Sequence, residues 1–487
     1  MRFLLDTNIL IPLEDSRLPL SSNLANFVRL AREYGHQLVF HPASKEDISR
    51  DENHDRRLQT LERLAQYTCL EKVPTCPWNT PETGPNDKAD NEILYALACD
   101  AADALITEDK GIQNKAKRQN LEARVYAIQT AEDLLRRLHE TTSVHLPNIQ
   151  EVPLHSLTPE LEDNFFDGLR LDYPDFGTWF RAKAREQRKA WLYRNDDGKI
   201  GALCIYAHKE NEIISDNDLV LNGASLKLCT FIVAPSCRGK KIGELFLKAA
   251  FRYATSNRLE HIFIHGNAEK QSILFELLTD FGFVESGTYQ GDIVYLKKQP
   301  EMIPEDVCEP FEYCRRYFPH FRQDSSVRKF IIPIRPEFHR ILFSDYDSPF
   351  DSQMALFEST YSVSNAIKQA YLCNAQIQSI KAGDIVLFYR SIDEQAVTSL
   401  GIVEHYESHQ DVWKIVRQVR RRTVYSIEQI AELACKPTKV MLFRLVKHFL
   451  HPPSIDWLQE NHVVNGSIQS IREINDHAFQ KLISKAS

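Results

Sequence analysis

The chain has 487 residues, 43% hydrophobic and 26% charged, with a formal net charge of −8. That length suits about three domains with ample core-forming material, and the acidic balance excludes a protein that coats nucleic acid indiscriminately, leaving only a localised basic surface as a route to a polyanion. No run of about 18 uncharged apolar residues appears, and the opening MRFLLDTNIL meets an aspartate too early for a signal peptide, so a cytoplasmic protein with no membrane partner is expected. The 10 cysteines form no Cys-x-x-Cys pair and read as reduced core thiols. Taken in order, Phe3 to Leu5 is a short buried strand running into Asp6-Thr7-Asn8, and strand Gln37 to Phe40 precedes Glu46 and Asp47 at a helix start. Thr75 to Lys88, rich in proline, reads as a loop. Asp90 then opens a helix over Asn91 to Cys99, and strand Ala104 to Ile106 ends in Thr107-Glu108-Asp109. Capping explains any one such acid, whereas four of them after strands or at helix starts point to a site at the carboxyl ends of a parallel sheet.

This spacing resembles the PIN-domain nucleases over residues 1–143, with an L-D-T-N start at Leu5 to Asn8, a D-x-x-I-L helix at Asp90 to Leu94 and a T-x-D strand end at Thr107 to Asp109. The resemblance implies a PIN-like α/β domain in which Asp6, Asp47, Asp90 and Asp109 are catalytic acids and metal ligands, with Glu46 replacing Asp47 if the register shifts by one. Hard oxygen donors at this density suit Mg²⁺ or Mn²⁺, which would activate water and polarise phosphate.

After a connector at 144–150, helix signals at Pro159 to Leu171 and a basic helix at Arg181 to Lys189 lead into strands Ala190 to Asn195 and Ile200 to His208, joined by an Asp196-Asp197-Gly198 turn. The basic helix fits a solvated face as well as a polyanion contact. Next, Leu228, Thr230, Ile232 and Ala234 alternate with Cys229, Phe231 and Val233 in a nearly all-apolar strand that Pro235 ends. Arg238-Gly239-Lys240-Lys241-Ile242-Gly243 follows, and Leu245, Phe246, Ala249 and Ala250 recur at helical spacing. Backbone N–H groups therefore converge at a helix N-terminus flanked by cations, which is an anion cradle. A strand at His261 to His265, Asn267-Ala268 opening a helix over Gln271 to Phe281, Gly282-Phe283, and a hairpin over Val284 to Leu296 complete the segment.

Order and spacing resemble the GNAT acetyltransferases, whose R/Q-x-x-G-x-G/A turn holds the pyrophosphate of acetyl-coenzyme A. The resemblance implies a GNAT-like α/β domain over 150–298, with acetyl-CoA held by Phe231, Ile232, Val233, Arg238, Gly239, Lys240, Lys241, Ile242, Gly243 and Asn267. Two positions depart from the family. Lys241 stands where the first signature glycine is usual, and Leu278, which cannot carry a proton, stands where a tyrosine general acid is common. His265, Tyr289 and Tyr295 are the proton-carrying groups nearby by position.

Residues 299–327 read as a linker whose aromatic cluster (Phe311, Tyr313, Tyr317, Phe318, Phe321) is available to dock on a neighbour. Residues 328–487 open with Phe330 to Arg335 and centre on Ile380 to Arg390, with further strands at Ser399 to His405, Val412 to Val419 and Lys439 to Leu445, a pattern that predicts a small mixed β-barrel. The G-D-I-V-L-F-Y-R-S strand and a preceding helix at Asn365 to Cys373 resemble the PUA-like group that includes EVE, YTH and ASCH domains, which implies RNA or a modified nucleobase as partner. Lys414, Arg417, Arg420, Arg421 and Arg422 lie beside Trp413, with Tyr389 on the central strand, offering cations to phosphate and rings to stacked bases.

The expectation is thus a multidomain α/β and α+β protein, a GNAT-type acyltransferase and PIN-type ribonuclease with an RNA-reading PUA-like module. Acetyl-CoA and Mg²⁺ or Mn²⁺ are its expected cofactors, and a toxin or defence effector acting on transfer RNA is the biological setting it suggests. Two alternatives stand beside it: a nucleic-acid-binding regulator that senses acetyl-CoA with decayed catalysis, and a protein N-acetyltransferase with accessory domains.

Overall fold

The computed structural model describes residues 1–14, 20–51, 53–78, 85–139, 149–195, 197–267, 270–299, 309–346, 366–419, 422 and 424–486. The chain divides into two compact units, one formed by 1–142, 409–421 and 425–438, the other by 143–408, 422–424 and 439–487.

The first unit is built on β1 (Arg2–Leu5), β2 (Gln37–Phe40), β3 (Thr68–Cys69), β4 (Ala104–Ile106) and β5 (Val125–Tyr126). All four pairings are parallel and the sheet order is β3-β2-β1-β4-β5. Phe3, Leu4 and Leu5 are fully buried because helices cover both faces, as a parallel sheet requires. The strand order reverses between β1 and β4, so Asp6 and Thr107 open on the crevice where such sheets place ligands.

Two helices from far along the chain, Val412–Val419 and Ile427–Ala434, complete this unit. The strand expected at Val412 to Val419 is therefore a helix. Its β-branched residues favour a strand, but Ile415, Val416 and Val419 sit at helical spacing and are buried, and Asp411 caps the first turn by accepting from the Lys414 amide at 2.7 Å.

The second unit contains two sheets. One consists of β6 (Gln150–Pro153), β7 (Lys189–Arg194), β8 (Ile200–Ile213), β9 (Val220–Val233), β10 (His261–Gly266), β11 (Val284–Tyr289) and β12 (Asp292–Lys298), in the order β11-β12-β10-β9-β8-β7-β6. Only β9 and β10 run parallel, bridged by the crossover helix Ile242–Ser256. The other consists of β13 (Lys329–Ile334), β14 (Lys368–Cys373), β15 (Ile385–Arg390), β16 (Ala396–His409), β17 (Thr438–His448) and β18 (Arg472–Ile474), in the order β14-β17-β16-β15-β13-β18. Among the described residues β14 and β18 are unclosed ends, so the sheet is open where a barrel was expected; a three-residue edge strand offers too short a ladder for closure.

Two further expectations change here. Lys368–Cys373 is a strand, not the end of a helix: Ile367, Ala370 and Tyr371 fit either period, and the ladder from Lys368↔Arg444 to Cys373↔Lys439 decides it; Asn365 lies outside the described residues. Nor is 309–327 a plain linker, because Pro310 starts a helix to Tyr317 that buries Tyr313, Cys314 and Tyr317, and Phe318, Phe321 and Val327 are buried after it. Cys314, Phe318, Phe321 and Val327 join one core shared by both sheets, running from Phe251 and Phe281 to Ile385, Leu387 and Phe479.

Polar groups also join the two sheets. Arg444 is 1% exposed; it donates to the backbone and carboxylate of Asp280 at 3.0 Å, reaches Glu404 at 3.4 Å, and lies between the rings of Phe281 and Phe311. Lys368 pairs with Asp280, and Arg422 with Glu404 at 2.8 Å. Burial alone would raise Glu404, but the Arg422 and Arg444 charges outweigh it and hold the carboxyl at about 2. On the crossover helix, Lys248 pairs with Asp345 at 2.6 Å, and Asp345 accepts in turn from His448 at 3.0 Å.

Candidate functional site

The pairing of β9 with β10 runs from Ser225↔His261 to Leu228↔Ile264 and stops, although both strands continue. Beyond that point β9 stays with β8 as far as Val233, while β10 turns with β12, pairing His265 with Val294 and Gly266 with Ile293. The sheet therefore forks. The limb carrying Phe231, Ile232 and Val233 leads through Pro235–Cys237 into Arg238 and the helix Ile242–Ser256. The first backbone amide bonded within that helix is Leu245, to Lys241 at 3.1 Å, so the amides of Ile242, Gly243 and Glu244 have no helical acceptor behind them. Amides, helix dipole, exposed Arg238 and half-buried Lys240 converge where the fork opens, an arrangement that fits a pyrophosphate.

Residues 154–283 match the family model for the acetyltransferase (GNAT) family. These residues form a GNAT acetyltransferase domain. Solved structures with local similarity include an ASCH protein from Zymomonas mobilis (17% identity, 33% of this chain and 96% of that one, TM-score 0.26). A GNAT family acetyltransferase from Listeria monocytogenes also aligns (15%, 31% and 94%, TM-score 0.25). So does a histone acetyltransferase HPA2 and related acetyltransferase from Corynebacterium glutamicum (17%, 33% and 99%, TM-score 0.25). Scores this low carry no argument about either fold or activity. A comparison with curated proteins yields no match.

In the GNAT domain, contacts with the second sheet account for Lys241 in the turn and for Glu244 just after it. Lys241 adopts φ +57°, the left-handed conformation that glycine takes without cost and that costs another residue about 1–2 kcal/mol. Its ammonium donates to the Lys368 carbonyl of β14 at 3.1 Å, so the lysine keeps the turn's shape while tying it to the second sheet. Glu244, an acid in the first turn of that helix, is likewise engaged by the second sheet: its carboxylate accepts from the Lys368 amide at 2.5 Å. A Cβ on Gly243 would meet Leu277 Cδ2 at 2.9 Å, so this glycine permits close approach of the next helix, Ser272–Asp280, and a side chain there would not point at phosphate.

The proton-carrying groups lie on two faces of the sheet. Leu278 is fully buried and Tyr295 stacks on Phe275 with ring centroids 4.6 Å apart, both on the face of the crossover helix. On the other face, His265 stacks on Tyr289 at 4.8 Å and sits near Phe263, with the Lys227 ammonium 6.0 Å from the Tyr289 ring. Burial and then the Lys227 charge depress His265 to about 4. Asn267 shapes the turn into the following helix, its side chain accepting from the Lys270 amide at 3.2 Å and its carbonyl from the Gln271 amide at 3.0 Å.

In the first unit, Asp6 is 5% exposed and accepts from the Thr107 hydroxyl at 2.6 Å, the Asn8 amide at 2.7 Å and the Thr7 backbone at 2.7 Å. Burial raises its carboxyl to about 6, helped by the charges of Asp90 and Asp109 and opposed by these hydrogen bonds. The fold thus gathers Asp6, Asp90 and Asp109. Asp47 lies 3.8 Å from Arg50. Lys115 bridges Asp87 at 2.6 Å and Asp90 at 2.7 Å, and Asp109 caps the helix Lys110–Arg118. Among the described residues no three His, Cys, Asp or Glu side chains are arranged to hold a metal ion, so the acids as placed lend no support to the expected Mg²⁺ or Mn²⁺.

The expected nucleic-acid residues do not share one surface character. Tyr389 is 5% exposed within the core. Trp413 meets His36 edge to face at 5.6 Å, Arg417 reaches Asp100 at 3.6 Å and Asp103 at 3.9 Å, and Arg422 is held by Glu404. Lys414 is exposed, and Arg420 and Arg421 lie outside the described residues. In the basic helix Phe176–Arg185, Lys183 pairs with Glu186 at 2.7 Å. No helix among the described residues is long and apolar enough to cross a membrane. The acids that neutralise Arg417 and Arg422 lie well back in the sequence, at Asp100, Asp103 and Glu404, and no local pattern announces them.

Proposed function

We propose that the second unit transfers an acetyl group from acetyl-CoA to a primary amine. The observation that carries this reading is the fork between β9 and β10, which ends at a helix N-terminus flanked by Arg238 and Lys240. Such a fork offers unpaired strand backbone to the pantetheine amides and directs the helix amides at the pyrophosphate. Binding there would bring the thioester to the split beside Cys229 and His265, where the acceptor nitrogen approaches from the face opposite the crossover helix. With Leu278 buried and unable to give a proton, another group or water reprotonates the departing thiolate.

The test is a thermal shift. Coenzyme A at a hundred times its Kd should stabilise the unit that binds it by about 2.7 kcal/mol, and Arg238→Ala with Lys240→Ala should remove most of that shift. A wild type with no shift, or a double variant with an undiminished one, would rule this reading out. The acid corner of the first unit supports a second, nuclease reading only through the proximity of Asp6, Asp90 and Asp109. RNA-dependent recruitment through Lys414, Arg420 and Arg421 is part of that same proposal.

A further inference from the structure

His265 occupies the first position of β10 after the pairing with β9 ends. The ring is fixed on several sides: it stacks on Tyr289 of β11 with an interplanar angle of 26°, lies 5.6 Å from Phe263, and hydrogen-bonds to the backbone of Ile214. Nε2 is buried and, among the described residues, without a hydrogen-bond partner, so the Ile214 bond belongs to Nδ1. A backbone carbonyl holding Nδ1–H fixes the tautomer, leaving a lone pair on Nε2. A buried acceptor with no partner is costly and rare, and such groups mark places where a ligand completes the structure. The charged groups facing this ring are Lys227 on β9, Glu212 on β8, which pairs with Lys227 at 3.6 Å, and Asp216 in the turn after β8. Burial first, and then the Lys227 charge, keeps the ring neutral near pH 7, so the lone pair is available there.

We infer that His265 is the proton acceptor of the acyl transfer, a catalytic residue whose Nε2 receives a hydrogen from the attacking primary amine. This rests on the acetyl-transfer reading above. The neutral amine nitrogen attacks the thioester carbonyl, the N–C bond forms, and the nitrogen then carries a positive charge that makes its proton far more acidic than that of the free ammonium. A weak base is sufficient for that proton, which passes to Nε2 as the C–S bond breaks and the thiolate departs. The imidazolium returns its proton to the thiolate or to solvent, so amine and thioester yield amide and free thiol. The stacked Tyr289 holds the ring in line, and Leu278 supplies no competing acid.

The experiment measures thiol release from acetyl-CoA by the full chain with spermidine, a lysine-containing peptide and an arylamine as acceptors, alongside the coenzyme A thermal shift. His265→Gln, which preserves polarity and approximate size but is no base, is expected to lower kcat about 100-fold or more with the shift retained, and added imidazole should restore part of the rate. His265→Ala should give the same loss with larger rescue, since it leaves room for the added base. Wild-type turnover with an unimpaired His265→Gln overturns this inference alone. Loss of the thermal shift together with the rate, unrescued, makes His265 structural and also overturns it. A wild type that releases thiol with none of these amines overturns the acetyl-transfer reading and this inference with it.

Discussion

The acid corner at the end of β1 and the fork between β9 and β10 both lie where parallel strands part, yet their polar atoms are satisfied differently. Asp6 spends its carboxylate on Thr7, Asn8 and Thr107, and Asp90 is neutralised by Lys115. At the fork, His265 keeps an acceptor in hand, and the helix amides face the opening without helical partners. A strand-end cluster thus has two fates in one chain: one set of groups is closed upon itself, the other is left open among the described residues. Motif spacing is blind to the difference, because it registers which residues are present and not what already occupies them.

The largest expected effect tests how firmly the fork's helices are held. Arg444→Ala would strand Asp280 and Glu404 without their common cation, and should cost the second unit about 3–5 kcal/mol in denaturant melts; a loss below 1 kcal/mol would mean water replaces the guanidinium freely. Asp6→Asn should act in the opposite direction. Because the folded carboxyl is raised to about 6, its ionised form is a liability above that pH, and stability declines as pH climbs from about 4 to about 6. The variant should therefore gain about 1–3 kcal/mol at pH 7 and nothing near pH 4. A destabilised variant at pH 7 would show that the hydrogen bonds outweigh the burial of charge. The smallest effect belongs to Arg417→Ala, whose partly exposed pairs with Asp100 and Asp103 should contribute less than about 1 kcal/mol. If that change leaves stability alone but flattens the salt dependence of RNA binding, the cation belongs to a nucleic-acid surface after all.

Much of the middle segment was legible because its signals are local: an apolar strand ended by Pro235, a cationic turn and a helix opened by Ile242 all fall within a few residues. Strand-end positions of Asp6 and Asp109 were legible for the same reason. What escaped was decided by distant partners. Lys368–Cys373 fits two periods until β17 pairs with it, and Val412–Val419 carries β-branched residues that a helical face buries. The buried Nε2 of His265 has no sequence signature, since a histidine at a strand end looks alike with or without a partner. Gly243 was legible as a required glycine, but its reason, the approach of Leu277, needed the neighbouring helix.

The contacts of the crossover helix bear on inheritance. Lys241, Glu244 and Lys248 all find partners beyond residue 340, at Lys368 and Asp345. A gene fragment ending near residue 298 would encode the acetyltransferase fold while deleting the partners of a buried acid and of a lysine whose ammonium is held in the interior. Recombination that shuffles the Arg238–Gly243 turn and its helix into a new setting would have to bring the later sheet along or rewrite those three positions. Lys241, the departure from the usual glycine, is thus also the turn's own tie to that sheet.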